Sequence, residues 1–157
     1  MKITDALLGE HAVLYDLFGH LRDTAVSSGD IVEIHGAVTA VDRLLLPHAR
    51  VEEDLLFPRL DSHLGQMGPL AVMRSEHHGI EDLLEAARRE TDITSLKTLV
   101  GRLLEMVYGH FQKEEMVLFG MAQQALGDEV LSELGDEWAA ARKVNLNAGG
   151  CASAGRG

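Results

Sequence analysis

Two stretches of the chain carry the same residues at spacings that suit a metal. His48-Ala-Arg-Val-Glu-Glu-Asp-Leu-Leu-Phe57 and His110-Phe-Gln-Lys-Glu-Glu-Met-Val-Leu-Phe119 both read His-x-x-x-Glu-Glu-x-x-Leu-Phe. Each is preceded by a Glu-His pair, Glu10-His11 and Glu76-His77. Residues four apart in a helix stand one turn apart on one face, so His48 with Glu52, and His110 with Glu114, can ligate from a single helix. Each glutamate can then bridge two ions, and His11 and His77 add a nitrogen from two partner helices. The sum is two ions with two imidazoles apiece and two shared carboxylates. Such mixed nitrogen and oxygen ligation suits iron or manganese better than the sulfur-rich sites of structural zinc. Singly, each residue also fits a plainer role, a hydrogen-bonded core histidine or a surface pair. Together, four imidazoles and two carboxylates on inward stripes would carry a heavy desolvation cost without partners, and a metal pair removes it. Without cations the two carboxylates would face one another, and the pKa of both should rise.

Four helical stripes must position these groups. Leu7, His11, Leu14, Phe18 and Leu21 alternate at spacings of four and three, which predicts a helix over 4–24 with His11 inward. Ser27-Ser-Gly-Asp30 breaks the pattern and offers an N-cap for a second helix to about residue 60, with Val38, Val41, Leu45, His48, Glu52 and Leu55 along one face. The turn at 65–69 places Pro69 where a third helix begins, with Met73, His77, Ile80 and Leu84 inward and His78, Arg74 and Asp82 on the other side. A fourth helix starts from Thr91 or Asp92 and runs to about residue 126, with Leu99, Leu103, Met106, His110, Glu114, Val117 and Met121 in register. A shorter helix over about 128–143 carries the single tryptophan, Trp138. Short connections favour antiparallel neighbours. The fold expected is all-α: an up-down-up-down antiparallel four-helix bundle over 1–126, an accessory C-terminal helix over 127–144 and a flexible tail over 145–157.

Composition agrees. The 157 residues are 46% hydrophobic but only 4% aromatic, with 3 prolines, which favours helices over a β-sandwich. A net charge of −11 opposes general binding to nucleic acid or anionic membranes. No stretch approaches the roughly 18 apolar residues of a membrane span, so a cytoplasmic protein is expected. The lone cysteine, Cys151, excludes an intramolecular disulfide; in its small-residue tail it reads as an inert residue or as a redox-active or metal-delivering thiol. His20, His35, His63 and His78 lack carboxylates at matching repeat positions and are expected on the surface.

The set His11, His48 with Glu52, His77, and His110 with Glu114 resembles the pattern of the hemerythrin-like, or HHE cation-binding, proteins over roughly residues 4–126. The resemblance implies a four-helix bundle around a non-haem di-iron centre, oxo- or hydroxo-bridged, with manganese or zinc as substitutes. It also implies a small ligand such as oxygen, peroxide or nitric oxide. The implied roles are sensing, handling or detoxifying such a ligand, or iron homeostasis; a di-iron peroxidase or catalase-like enzyme and a structural metal-binding bundle are the alternatives. Oxygen-carrying members have a histidine four residues after the one matching His77, where this chain has Glu81. Glu81 could be a terminal carboxylate ligand, an acceptor that orients an imidazole, or an exposed charge, and its presence argues against reversible oxygen carriage. The matching position in the other half is Tyr15, either a donor to a metal-bound oxygen species or a packed core residue. The resemblance also reaches nitric-oxide-linked iron-sulfur repair proteins, whose additional N-terminal domain and cysteine motif do not occur within these residues.

Overall fold

The computed structural model describes residues 1–65 and 68–145, and the segment holding Cys151 lies outside them. The described residues form helices α1 (Ile3–Ser27), α2 (Ile31–Val51), α3 (Phe57–Leu64), α4 (Pro69–Arg89), α5 (Ile93–Lys113) and α6 (Phe119–Arg142). Two π-helical turns, Glu52–Leu56 and Glu114–Leu118, join α2 to α3 and α5 to α6.

The helix starts are written in the sequence. Asp30 accepts the backbone N–H of Val32 at 2.8 Å and opens α2; Asp92 accepts that of Ser95 at 2.8 Å and opens α5. Pro69, which has no N–H to leave unsatisfied, opens α4. The inward residues expected of α1 and α4 are all buried.

Beyond each repeated histidine the expected register slips by one residue. Leu55 is only partly buried and Val117 is exposed, while Leu56 and Leu118 are buried in their place. The cause is the π-helical turn: the N–H of Phe57 returns to the carbonyl of Glu52, and that of Phe119 to Glu114, one residue further back than in an α-helix. Each turn therefore accommodates one extra residue immediately after the repeated histidine's helix.

The apolar interior falls into two clusters. One holds Leu14, Phe18, Val41, Leu45, Ile80, Val107 and Phe111. The other holds Leu7, Val51, Leu56, Phe57, Met73, Leu118 and Phe119, which includes both Leu-Phe pairs of the repeat. On every stripe the histidine falls between them, at His11, His48, His77 and His110.

α6 packs on α1 and α3. Gly127, with φ of 72°, interrupts its helical path as only glycine does without strain. Further on, a side chain at Gly135 would stand 1.9 Å from the carbonyl oxygen of Met1, so helix and N-terminus meet there backbone to backbone. Lys2 adds contacts to Gln123 and Asp128, each at 2.8 Å.

Candidate metal centre

The polar layer between the two clusters contains His11, His48, His77 and His110, each 1–3% exposed, and Glu52 and Glu114, both at 0%. Their donor atoms fall into two groups, His11, His48, Glu52 and Glu114, and Glu52, His77, His110 and Glu114, each with its atoms within 4.8 Å of one another. Both glutamates belong to both groups. Glu114 turns one oxygen to His11 Nε2 at 3.2 Å and the other to His110 Nε2 at 3.0 Å. Glu52 does the same toward His48 at 3.5 Å and His77 at 3.4 Å.

Each imidazole is held from behind by a second glutamate. Nδ1 of His11 lies 2.8 Å from Glu115, that of His48 2.7 Å from Glu10, that of His77 2.8 Å from Glu53 and that of His110 3.0 Å from Glu76. An ionised carboxylate only accepts, so the proton of each neutral ring sits on Nδ1 and a lone pair on Nε2. Those lone pairs converge: the Nε2 atoms of His11 and His48 are 3.1 Å apart, and those of His77 and His110 are 3.0 Å apart. None of the four oxygens of Glu52 and Glu114 receives a hydrogen bond. Eight acceptor atoms thus face one another in a buried layer without a donor, an arrangement that favours a cation over any neutral occupant.

In the absence of a cation, protons must relieve this layer, and the pKa values show where. Burial, reinforced by the charge of Glu114, pushes Glu52 well above the usual carboxylate range. Burial acts the same way on Glu114, but the imidazoles of His11 and His110 outweigh it and hold it low. The expected rise of both carboxylates therefore occurs at Glu52 alone, because Glu114 lies nearer its imidazoles. Burial lowers His48 and His77; it acts to lower His110 too, but Glu114 and Glu76 overcome it and raise that ring.

Six of the seven expected ligands come together, and Glu81 does not. The inward stripe of α4 runs His77, Ile80, Leu84 and leaves Glu81 exposed on its flank, outside both donor groups. Nor does Glu81 hold an imidazole, since Glu10, Glu53, Glu76 and Glu115 occupy all four Nδ1 positions. It lines a gap of about 10 Å³ together with His48, His77, His110 and Phe111. Tyr15 is half-buried, stacked on Tyr108, and its hydroxyl donates to Glu115 at 3.1 Å. Burial and that carboxylate push its pKa up to about 12. His11 stacks on Phe111 at 3.8 Å between ring centres, and His77 on Phe57 at 5.6 Å. Of the remaining histidines, His20, His63 and His78 are exposed, but His35 is half-buried, with Nε2 3.1 Å from the carbonyl of Ala87.

The four glutamates behind the imidazoles were missed as a set, although the repeat contains all of them. Two are the residues before His11 and His77, and two are the second member of each Glu-Glu pair. Trp138 and Arg142, which reach Glu10 from α6, carry no repeat signal.

A helical bundle with a buried layer of imidazoles and carboxylates is a cation-binding protein. The chain belongs to the family described as the hemerythrin HHE cation binding domain, whose model matches residues 2–122. Among curated proteins it is similar to the DNA nickase of Nostoc sp., 28% identical over 155 residues, which are 98% of this chain and 43% of that one. It is also similar to the iron-sulfur cluster repair protein YtfE of Enterobacter sp., 32% identical over 98 residues, or 54% of this chain and 44% of that one. The same protein of Escherichia coli O157:H7 is 31% identical over an equal length. The chain thus spans less than half the length of these relatives. No solved structure gives a significant match. Among the described residues no helix is long and apolar enough to cross a membrane.

Proposed function

We propose that the chain holds two iron ions and uses them to handle a small oxidant or diatomic ligand. His11 and His48 hold one ion, His77 and His110 the other, and Glu52 and Glu114 bridge them. The observation that carries this reading is the pair of carboxylates placed between two histidine pairs, each with one oxygen toward each pair and no hydrogen bond to either oxygen. The ions, when bound, supply redox chemistry toward oxygen, peroxide or nitric oxide. The chain's part is to fix four imidazoles through their Nδ1 protons and to exclude bulk water with the apolar clusters above and below. The gap beside His48, His77 and His110 has room for about one water-sized ligand, which excludes a bulky substrate at that face.

Kinship with proteins named for iron-sulfur cluster repair supports a role in redox or nitrosative stress. We read the surrounding fold as an up-down-up-down antiparallel bundle over 1–126 with the helix after Gly127 as an accessory, in a cytoplasmic protein. With four histidines in the donor groups and Glu81 on the flank, the fifth imidazole of oxygen carriers has no counterpart. The reduced protein should be oxidised by air without reversible adduct formation. The absence of nucleic acid among its partners rests on the net charge of −11. Retention of a labelled duplex at low salt would overturn it.

The test is elemental analysis of protein reconstituted with ferrous iron, followed by optical spectra after exposure to air. About two irons per chain and an oxo-bridge absorption band are expected. One zinc per chain with no such band would favour the purely structural metal bundle. Steady turnover of peroxide would move the assignment to a peroxidase or catalase-like enzyme.

A further inference from the structure

The glutamates behind the imidazoles are not equally supported. In the second hairpin Glu76, which holds His110, is paired with Lys113, the residue before Glu114. At the matching repeat position the first hairpin has Val51, buried in the apolar core, so its own motif offers Glu10 no cation. The cation comes instead from the end of α6. Arg142 donates from Nε to Glu10 Oε1 at 2.6 Å and from Nη2 to Oε2 at 3.0 Å, and Trp138 Nε1 donates to Oε1 at 2.8 Å. Arg142 Nη2 also donates to the carbonyl of Pro47, the residue before His48, at 3.1 Å. Glu10 Oε2 then meets His48 Nδ1 at 2.7 Å. Both Trp138 and Arg142 lie beyond the residues matched by the family model.

We propose that Trp138 and Arg142 are positioning residues of the metal centre, which act through Glu10 to fix the His48 imidazole, as Lys113 does through Glu76 for His110. The inference rests on the two-ion reading above. A carboxylate tied to one imidazole alone can swing; one that also receives three donors from α6 holds the ring in a single orientation. The guanidinium also moderates how strongly the carboxylate draws on the ring proton, which sets how good a donor Nε2 is. The first half of the repeat has Val51 where the second has Lys113, and the helix after Gly127 supplies the cation to Glu10 instead.

The test uses the full chain loaded with cobalt(II), whose visible bands report nitrogen and oxygen ligation, and follows the release of cobalt to a chelator. Two bound ions are expected in the unmodified protein. Arg142→Gln should release one of the two about tenfold faster, the size of effect usual when the partner behind a ligand is lost, and should alter the bands of that ion. Arg142→Lys should recover part of the loss. Trp138→Phe removes the N–H and leaves a smaller aromatic ring in its place, so it should move the same phase in the same direction by less, which tests the idea even where Arg142→Gln folds poorly. Lys113→Gln should speed release of the other ion. If Arg142→Gln and Trp138→Phe lower the melting temperature but leave both release phases and the bands unchanged, the two residues only pack α6, and the inference falls while the two-ion reading stands. Uptake of a single cobalt ion by the unmodified protein would overturn both.

Discussion

Among the described residues Glu52 and Glu114 differ from the other acidic groups in being fully buried with no hydrogen bond to either oxygen, and this makes them the most informative positions to change. Since each faces both histidine pairs, Glu52→Ala or Glu114→Ala should weaken binding of both ions by about tenfold or more. His11→Ala and His77→Ala should mainly affect one ion each. Titration that left two ions bound with unchanged affinity after loss of either glutamate would refute the bridging assignment. A second prediction uses the raised pKa of Glu52 in the metal-free protein. Its folded value lies above the ordinary 4.5. Its cost to the fold is therefore absent below that ordinary value, grows as pH rises toward the folded value, and is full above it. Metal-free Glu52→Gln should thus melt higher than the metal-free parent at mildly alkaline pH, with the difference shrinking as the solution is acidified. Melting curves across that range check it, and a difference that grew on acidification would contradict the sign.

The π-helical turns and α6 are the elements that shape the centre. Each π-turn begins at a repeated glutamate, so the carboxylate that faces the histidines and its neighbour, which reaches back to an imidazole on another helix, sit side by side. An α-helical continuation would have kept Leu55 and Val117 on the inward stripe, and the observed turns bring in Leu56 and Leu118 instead. At the other end, α6 can deliver Trp138 and Arg142 to Glu10 because it lies against the N-terminus of the chain at Gly135. Gly135→Ala would gain about 1 kcal/mol of helix propensity. It would also force a methyl to within 1.9 Å of the Met1 carbonyl, with an overpacking cost of about 1–3 kcal/mol. The net expectation is a lower melting temperature, measured by circular dichroism. An unchanged or raised value would mean that α6 docks with more freedom than this contact implies.

At the scale of the whole molecule, the fold encloses a layer that opposes its own formation unless cations fill it. Eight acceptor atoms sit between two apolar clusters, and in the metal-free chain burial with the charge of Glu114 raises the pKa of Glu52, while Glu114 and Glu76 raise that of His110 against its burial. Ions that bind the folded chain and not the unfolded one stabilise it by mass action, about 4 kcal/mol at a thousandfold excess over the dissociation constant. Treatment with a chelator should therefore lower the melting temperature markedly, and re-addition of ferrous iron should restore it. Equal melting of stripped and loaded protein would show that the layer is satisfied by protons alone.

Most inward positions of the four amphipathic stripes, the caps at Asp30 and Asp92, the start at Pro69 and the six imidazoles and carboxylates of the buried layer were legible in the sequence, because each depends on local chemistry or on spacing within one helix; on the fourth stripe Leu99, Met106 and Met121 are only partly buried, with Val100, Val107 and Ala122 buried beside them. The duplicated motif even contained the glutamates behind the imidazoles, but sequence spacing could not say that Glu10 would meet His48 or that Glu115 would meet His11, since those pairs form between helices. Periodicity assumes 3.6 residues per turn, so it missed the π-turns and placed Leu55 and Val117 inward. It left Glu81 open between a ligand, a partner of an imidazole and an exposed charge, and α4 carries that residue exposed on its flank, outside both donor groups. The link from Arg142 to Glu10 spans almost the whole chain and has no periodic signature. Only the docking of α6 on α1 decides it, through a contact that depends on the shape of two backbones at Gly135 and Met1.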